Sequence, residues 1–119
     1  MAITEVVVNY TARNYFNDYD ETRSERMTWV EPEKVSKAID KLARRYRNKK
    51  VCDCMFVKND DDTGWRLMYG YDERHFDPKT SKKTLRLRHY TAYSVGGWDT
   101  EETVSVARAK ERILEGKQQ

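Results

Sequence analysis

A chain of 119 residues has the length of one domain, and a chain of this length buries about two-thirds of its unfolded surface on folding. Only 38% of the residues are hydrophobic and 36% are charged, so the core is expected to be small. The three Trp, eight Tyr and three Phe nevertheless favour a folded domain over a disordered chain.

The sequence also argues against the membrane and secreted classes of protein. The longest uncharged run, residues 89–98, is far shorter than the roughly 20 residues that a membrane-spanning helix needs. Glu5 lies within the first apolar run, which is unlike a signal peptide. Because Cys52 and Cys54 are too few for a disulfide framework, we expect a cytoplasmic protein.

The net charge of +3 is unevenly distributed along the chain. Residues 31–50 and residues 78–98 each carry +5, whereas residues 51–77, between them, carry −4. Alternating blocks of this kind indicate separate basic and acidic surfaces. They would also allow two copies of the chain to associate as a homodimer, acidic surface against basic surface.

The first part of the chain predicts a strand followed by an irregular segment. Residues 3–11 are rich in β-branched residues, which is typical of a strand. Residues 12–27 combine turn-forming and aromatic residues, and they predict a long loop or an irregular hairpin tip. Residues 26–30 are expected to return as a short partner strand.

Residues 31–47 have the clearest helical periodicity in the chain. Pro32 suits the first helical position, and Glu31 and Glu33 complement the helix dipole at that end. Apolar residues and cations occupy opposite faces of this helix, with Val35, Ala38, Ile39, Leu42 and Tyr46 on the first face and Lys34, Lys37, Lys41, Arg44 and Arg45 on the second.

The remaining chain predicts strands over residues 51–58, 65–71 and 84–95, then a helix capped by Asp99 and Glu102. Gly64 is expected to supply the positive φ of the turn before the second of these strands, and residues 116–119 are expected to fray. Residues 1–119 thus predict a single α+β domain in the order β-(β)-α-β-β-β-α. It would hold an antiparallel sheet of three to five strands with two helices packed on one face.

The basic face of the first helix is one candidate binding surface. Lys37, Lys41 and Arg44 recur on successive turns, a spacing that suits contacts with successive phosphates. The alternative is a solvated helix face stabilised by pairs four residues apart, such as Glu33 with Lys37. The excess of cations over acids in residues 34–50 favours a role in binding.

The third predicted strand carries the other basic candidate. Arg86, Arg88 and Tyr90 alternate along it and share one face, which Arg66 is expected to join from the neighbouring strand. Cations beside aromatic rings suit phosphates and stacked bases, and they are also common in protein interfaces. The alternative is an ordinary exposed sheet face whose long side chains cover apolar surface.

A third candidate is the acidic and aromatic segment 15–21. Long loops in small domains are usually functional or disordered, and aromatic residues argue against disorder. Tyr15, Phe16 and Tyr19 are therefore expected to contact a protein partner.

No metal, cofactor or catalytic site is predicted. The aspartates at 60–62 lack the ligand spacing of an EF-hand loop, and Cys52 and Cys54 lack the second pair of a zinc site and predict buried cysteines. His75 lies near acids within residues 72–77, but nearness in a loop does not position an acid–base pair. His89 alternates with apolar residues and predicts a hydrogen-bonded, partly buried histidine.

The sequence therefore favours a small non-enzymatic protein that binds nucleic acid or a nucleoprotein complex. The alternative is a protein–protein interaction module: an inhibitor, an adaptor or a self-associating accessory factor of phage or plasmid type. That module would use the helix-free face of the sheet and the segment 15–21. The residues expected to bind nucleic acid are Lys37, Lys41, Arg44, Arg86, Arg88 and Tyr90.

Overall fold

The computed structural model describes residues 2–14, 19–46, 52–70, 83–91 and 97–115, with the backbone alone over residues 11–14 and 19–22. No helix within these ranges is both long and apolar enough to span a membrane. The elements in chain order are β1 Ile3–Asn14, β2 Tyr19–Val30, α1 Pro32–Tyr46, β3 Cys54–Asn59, β4 Gly64–Gly70, β5 Thr84–Tyr90, β6 Thr100–Thr103 and α2 Val106–Glu115.

These strands form one antiparallel sheet of six strands in the order β2-β1-β3-β4-β5-β6. The predicted α+β class is confirmed, but the expected count of three to five strands is wrong. Residues 12–27, predicted as a long loop or an irregular hairpin tip, belong mostly to the paired strands of a hairpin, because β1 and β2 pair from Ile3–Val30 to Asn14–Tyr19. Cross-strand pairing over this length outweighs the weak strand propensity of the polar residues in β2. The hairpin tip, residues 15–18, lies outside the described residues.

Both helices pack on one face of the sheet, where alternate strand residues meet them. The core side of α1 is confirmed, since Val35, Ile39 and Leu42 are buried and Ala38 and Tyr46 pack against the core. The residues at the centre of this core are at most 2% exposed, and they include Val6, Val8, Met55, Val57, Leu67 and Leu87 of the sheet with Ala109 and Ile113 of α2.

The second helix begins later than predicted, because residues 100–103 pair with β5 as strand β6. Asp99 and Glu102 therefore do not cap it. Ser105 is the capping residue, and its Oγ accepts a hydrogen bond from the N–H of Arg108 at 3.1 Å. Glu102 instead accepts a hydrogen bond from Arg112 at 2.8 Å. Arg112 is buried, although it is a charged residue.

The turn between β3 and β4 places its left-handed residue at Asp62, with φ 63°, and not at Gly64. Aspartate tolerates this region because its short polar side chain can hydrogen-bond locally. Next to it, the Asp61 carboxylate accepts hydrogen bonds from the hydroxyl and the N–H of Thr63. These bonds favour the charged carboxylate and lower the pKa of Asp61. Gly64 is instead the first residue of β4.

Replacing Gly64 by alanine is expected to lower the free energy of unfolding by about 1–3 kcal/mol. A Cβ at this position would lie 2.7 Å from the main-chain oxygen of Val57, which the β3–β4 pairing holds in place. Gly97→Ala is the matched control, because no described atom lies within 4 Å of its added Cβ. Denaturant unfolding measures both variants. Equal stability of the two would show that β3 and β4 separate freely enough to admit the methyl group.

Candidate functional site

The helix-free face of the sheet carries three arginines on the adjacent strands β4 and β5. Arg66 is directly opposite Arg88 in the β4–β5 register, and Arg86 is opposite Met68. Directly opposite side chains in an antiparallel pair have Cβ atoms about 4.5–5.5 Å apart. The structure therefore places Arg66 on the same face as Arg86 and Arg88, and we call these three residues the arginine cluster.

The charge of the arginine cluster is only partly compensated. In the described part of the chain, Glu101 is the one carboxylate within 4 Å of it, with Oε1 3.5 Å from Arg86 Nη1 and 3.3 Å from Arg88 Nε. The Nε atoms of Arg66 and Arg86 are buried without a hydrogen-bond partner among the described residues. Like charges opposite each other destabilise a sheet, so the arginine cluster lowers the stability of the folded chain. An anionic ligand would offset this loss.

Aromatic rings flank the arginine cluster. The guanidinium carbon of Arg88 lies 3.5 Å from the ring centroid of Trp98, and that of Arg66 lies 5.0 Å from the ring centroid of Phe56. Trp98 is 44% exposed and Phe56 is 37% exposed. Tyr90 is half-buried and follows Arg88 by two residues, on the same face of β5. Cation–π contacts thus hold the guanidinium groups beside rings that still have accessible surface.

A shallow groove of about 390 Å³ lies beside these residues. It is lined by apolar and polar side chains together, among them Val7, Phe56, Lys58 and Tyr90. The helix-free face therefore combines cations, exposed rings and an apolar depression.

The three predicted phosphate-binding residues of α1 lie on the other side of the domain, because α1 packs on the opposite face of the sheet. Lys37 Nζ is 3.7 Å from a carboxylate oxygen of Glu33, the pair four residues apart that the sequence offered as an alternative. Arg44 is exposed and makes no ion pair with a described residue. The structure does not bring Lys37, Lys41 and Arg44 together with the arginine cluster.

Lys41, the central residue of the three, is held against the β1–β2 hairpin. Its Nζ lies 4.8 Å from the ring centroid of Tyr10 and 3.5 Å from a carboxylate oxygen of Glu25. Tyr10 and, to a smaller extent, Glu25 raise the pKa of Lys41. Lys41 therefore already has partners within its own chain.

A buried carboxylate that sequence reasoning missed connects α1 to the sheet. Asp53 is 1% exposed, and its Oδ2 accepts hydrogen bonds from Arg45 Nε at 2.6 Å and from the Tyr69 hydroxyl at 2.8 Å. The hydrogen bond with the Asp53 carboxylate raises the pKa of the Arg45 guanidinium. The pKa of the Tyr69 hydroxyl is also raised, mainly because the group is buried and to a smaller extent because it donates a hydrogen bond to Asp53. The sequence signal is alternation, since Asp53 is in phase with the buried Met55 and Val57.

A lysine lies at the same end of the sheet. Lys83 Nζ is 5.1 Å from the ring centroid of Tyr69 and donates a hydrogen bond to the main-chain oxygen of Tyr46 at 3.3 Å. Burial lowers the pKa of Lys83. The Tyr46 hydroxyl in turn donates to the main-chain oxygen of Lys83. These contacts and those of Asp53 attach the C-terminal end of α1 to β4 and β5.

Two further predictions concern single residue types. His89 is 3% exposed, and its Nδ1 lies 2.9 Å from Asp99 Oδ1, so the predicted hydrogen-bonded histidine is confirmed. Cys52 and Cys54 are half-buried, which corrects the expectation of buried cysteines. Among the described residues, no three His, Cys, Asp or Glu side chains are grouped to hold a metal ion.

The remaining predicted site residues cannot be placed. Tyr15 and Phe16 lie outside the described residues, and Tyr19 begins β2 without a described side chain. The acidic segment around His75, residues 72–77, also lies outside them.

No protein-family model matches the chain, and comparisons with curated proteins and with solved structures find no significant match. The function is therefore inferred from the chemistry of the described surfaces. The helix-free face offers guanidinium donors and ring faces side by side, which suits phosphates with bases, or acidic and aromatic side chains of a protein.

Proposed function

We propose that the chain is a small non-enzymatic protein of the cytoplasm that binds single-stranded nucleic acid on the helix-free face of its sheet. The observation that carries this proposal is the arginine cluster, in which Arg86 and Arg88 share the carboxylate of Glu101 while Arg66 has no carboxylate within 4 Å among the described residues. A ligand with closely spaced negative charges would relieve the repulsion between Arg66 and Arg88, which are directly opposite each other.

The neighbouring rings favour a single strand over a duplex. Trp98 and Phe56 have accessible rings beside guanidinium groups, and unpaired bases can stack on such rings whereas bases within a duplex cannot. Tyr90 extends the same surface along β5. In this proposal Arg66, Arg86 and Arg88 contact phosphates, and Phe56, Tyr90 and Trp98 contact bases.

The basic face of α1 has a secondary role in this proposal. Lys37 and Lys41 have carboxylate neighbours in the same chain, and they lie behind the sheet relative to the arginine cluster. A weak, sequence-independent attraction for the nucleic acid, rather than a second binding site, would come from Lys37, Lys41 and Arg44.

Titration of labelled single-stranded DNA and RNA of mixed sequence, each beside its duplex, tests the proposal across a range of salt concentrations. We expect tighter binding of the single strands, with an affinity that falls steeply as salt rises. Three phosphate contacts correspond to a slope of about −2 in a plot of log affinity against log salt. Absence of binding at low salt, or equal affinity for duplex and single strand, would contradict the proposal.

The second candidate is a protein-binding module that uses the same helix-free face. It is favoured by the groove beside Phe56, whose apolar lining suits an inserted side chain better than a phosphate. Binding of an acidic partner there would weaken less with salt, because apolar contacts carry more of the affinity. A salt-insensitive complex with a protein, in the absence of nucleic-acid binding, would identify this second function.

A further inference from the structure

The outer edge of β2 is a long interaction surface that the proposed nucleic-acid binding does not use. β2 has 12 residues and lies at one edge of the sheet, whereas β6, at the other edge, has four. An edge strand presents a row of N–H and C=O groups, and proteins commonly protect such edges with short strands, prolines or bulges. β2 has full length and no proline. Trp29, next to its last residue, has a positive φ of 51°, and the rest of the strand carries charged side chains as protection.

The charges along β2 complement a second, antiparallel copy of the same strand. If Ser24 lies on a two-fold axis, Arg23 of one copy is opposite Glu25 of the other, and the symmetry produces this pair twice. Residues directly opposite each other share a face of the sheet, so the pair can form. An axis at Arg23, Glu25 or Arg26 would instead place identical charges opposite each other. An axis at Thr22 would pair Glu21 with Arg23, but it would let only residues 19–25 of β2 pair, whereas an axis at Ser24 lets residues 19–29 pair. The opposite charges and the length of pairing together therefore favour the axis at Ser24.

The contacts within one copy leave these side chains available for such a pair. Arg23 is exposed and makes no ion pair with a described residue. Glu25 lies 3.5 Å from Lys41 and 3.4 Å from the Tyr10 hydroxyl, yet its side chain retains 40% exposure. A cation from a second copy can therefore reach Glu25 without displacing Lys41.

We infer that the chain forms a homodimer by antiparallel pairing of two β2 edges about a two-fold axis at Ser24. Backbone hydrogen bonds between the two strands hold the copies together, and the two Arg23–Glu25 pairs set the register. The result is one sheet of twelve strands, six from each copy. The helix-free faces of the two copies then form one continuous surface with an arginine cluster in each half.

Sedimentation equilibrium of the full chain without nucleic acid tests the dimer. We expect Arg23→Glu to raise the dissociation constant by at least about tenfold, because two attractive pairs become two repulsive ones. The double variant Arg23→Glu/Glu25→Arg, made in a Lys41→Gln background so that the new arginine has no cation beside it in its own copy, restores the opposite charges and is expected to restore the dimer. Lys34→Glu, the same charge change on the exposed surface of α1, is the control. A monomeric wild-type chain, or a double variant that stays as weak as Arg23→Glu, would overturn the inference.

Cysteine cross-linking tests the register independently, in a Cys52→Ser/Cys54→Ser background. Ser24→Cys is expected to form an intermolecular disulfide under mild oxidation, because opposite residues have Cβ atoms about 4.5–5.5 Å apart. Thr28→Cys is the matched control on the same face, and its two copies would be about 27 Å apart in this register. If the dimer cross-linked equally well through both positions, or through neither, the β2 edge would not be the dimer interface. Neither test depends on nucleic-acid binding.

Discussion

Replacing Asp53 by alanine is expected to lower the free energy of unfolding by about 3 kcal/mol, one of the largest effects of any single change in this chain. The variant leaves the Tyr69 hydroxyl without its buried acceptor and the Arg45 guanidinium without its carboxylate. The Asp53 side chain is fully buried whereas that of Arg45 is 38% exposed, so water can solvate the remaining cation. This places the expected loss at the lower end of the range for broken buried ion pairs, about 3–5 kcal/mol.

Denaturant unfolding followed by circular dichroism measures this loss. Tyr69→Phe removes the hydrogen bond from the Tyr69 hydroxyl without leaving a buried hydroxyl and is expected to cost about 1 kcal/mol. Asp60→Ala, in the exposed turn between β3 and β4, is the control for loss of an acidic side chain and is expected to change stability by less than about 0.5 kcal/mol. If Asp53→Ala were no worse than Asp60→Ala, the carboxylate would not hold α1 against the sheet.

The triple variant Arg66→Gln/Arg86→Gln/Arg88→Gln is expected to weaken binding of single-stranded nucleic acid by about a hundredfold at low salt. Glutamine keeps a polar side chain near the rings but removes the charge that attracts phosphates. Loss of three phosphate contacts is also expected to make the salt slope shallower by about 2. Fluorescence anisotropy with a labelled oligonucleotide measures both quantities.

The matched control for this variant is Lys37→Gln/Lys41→Gln/Arg44→Gln, which removes the same number of charges from the other side of the domain. It is expected to weaken binding by less than about tenfold, because α1 lies away from the arginine cluster. Thermal unfolding of both variants separates lost binding from lost folding. If the α1 variant weakened binding more than the arginine variant, the nucleic acid would bind on the helix side and the proposed interface would be wrong.

Local patterns in the sequence were enough to predict α1 and the strands β3, β4 and β5. The apolar face of α1 follows from a period of 3.6 residues, and Val35, Ile39 and Leu42 are buried as that period requires. Alternation in β5 likewise places Leu85 and Leu87 in the core. These features depend on neighbours a few residues apart, so a single sequence contains them.

Local sequence patterns predicted the wrong structure where the same pattern is compatible with two different structures. Asp99 and Glu102 have the spacing of a helix cap, but residues 100–103 form β6 because pairing with β5 satisfies their backbone and places Glu101 beside Arg88. Residues 12–27 resemble a loop in composition, yet the β1–β2 hairpin includes most of them. In both cases hydrogen bonds to another strand outweigh the local conformational preference of the residues. The local sequence does not show which strand will be the partner.

The sequence by itself determined that this protein has an amphipathic basic helix, a meander of alternating strands and two basic blocks. Only the tertiary structure decided that the basic face of α1 and the arginine cluster lie on opposite sides of the sheet, and that Arg66 is opposite Arg88, which contacts Glu101 and Trp98. The reason is that periodicity defines which face of an element is apolar, whereas strand register and the side on which a helix packs depend on contacts between residues far apart in the chain.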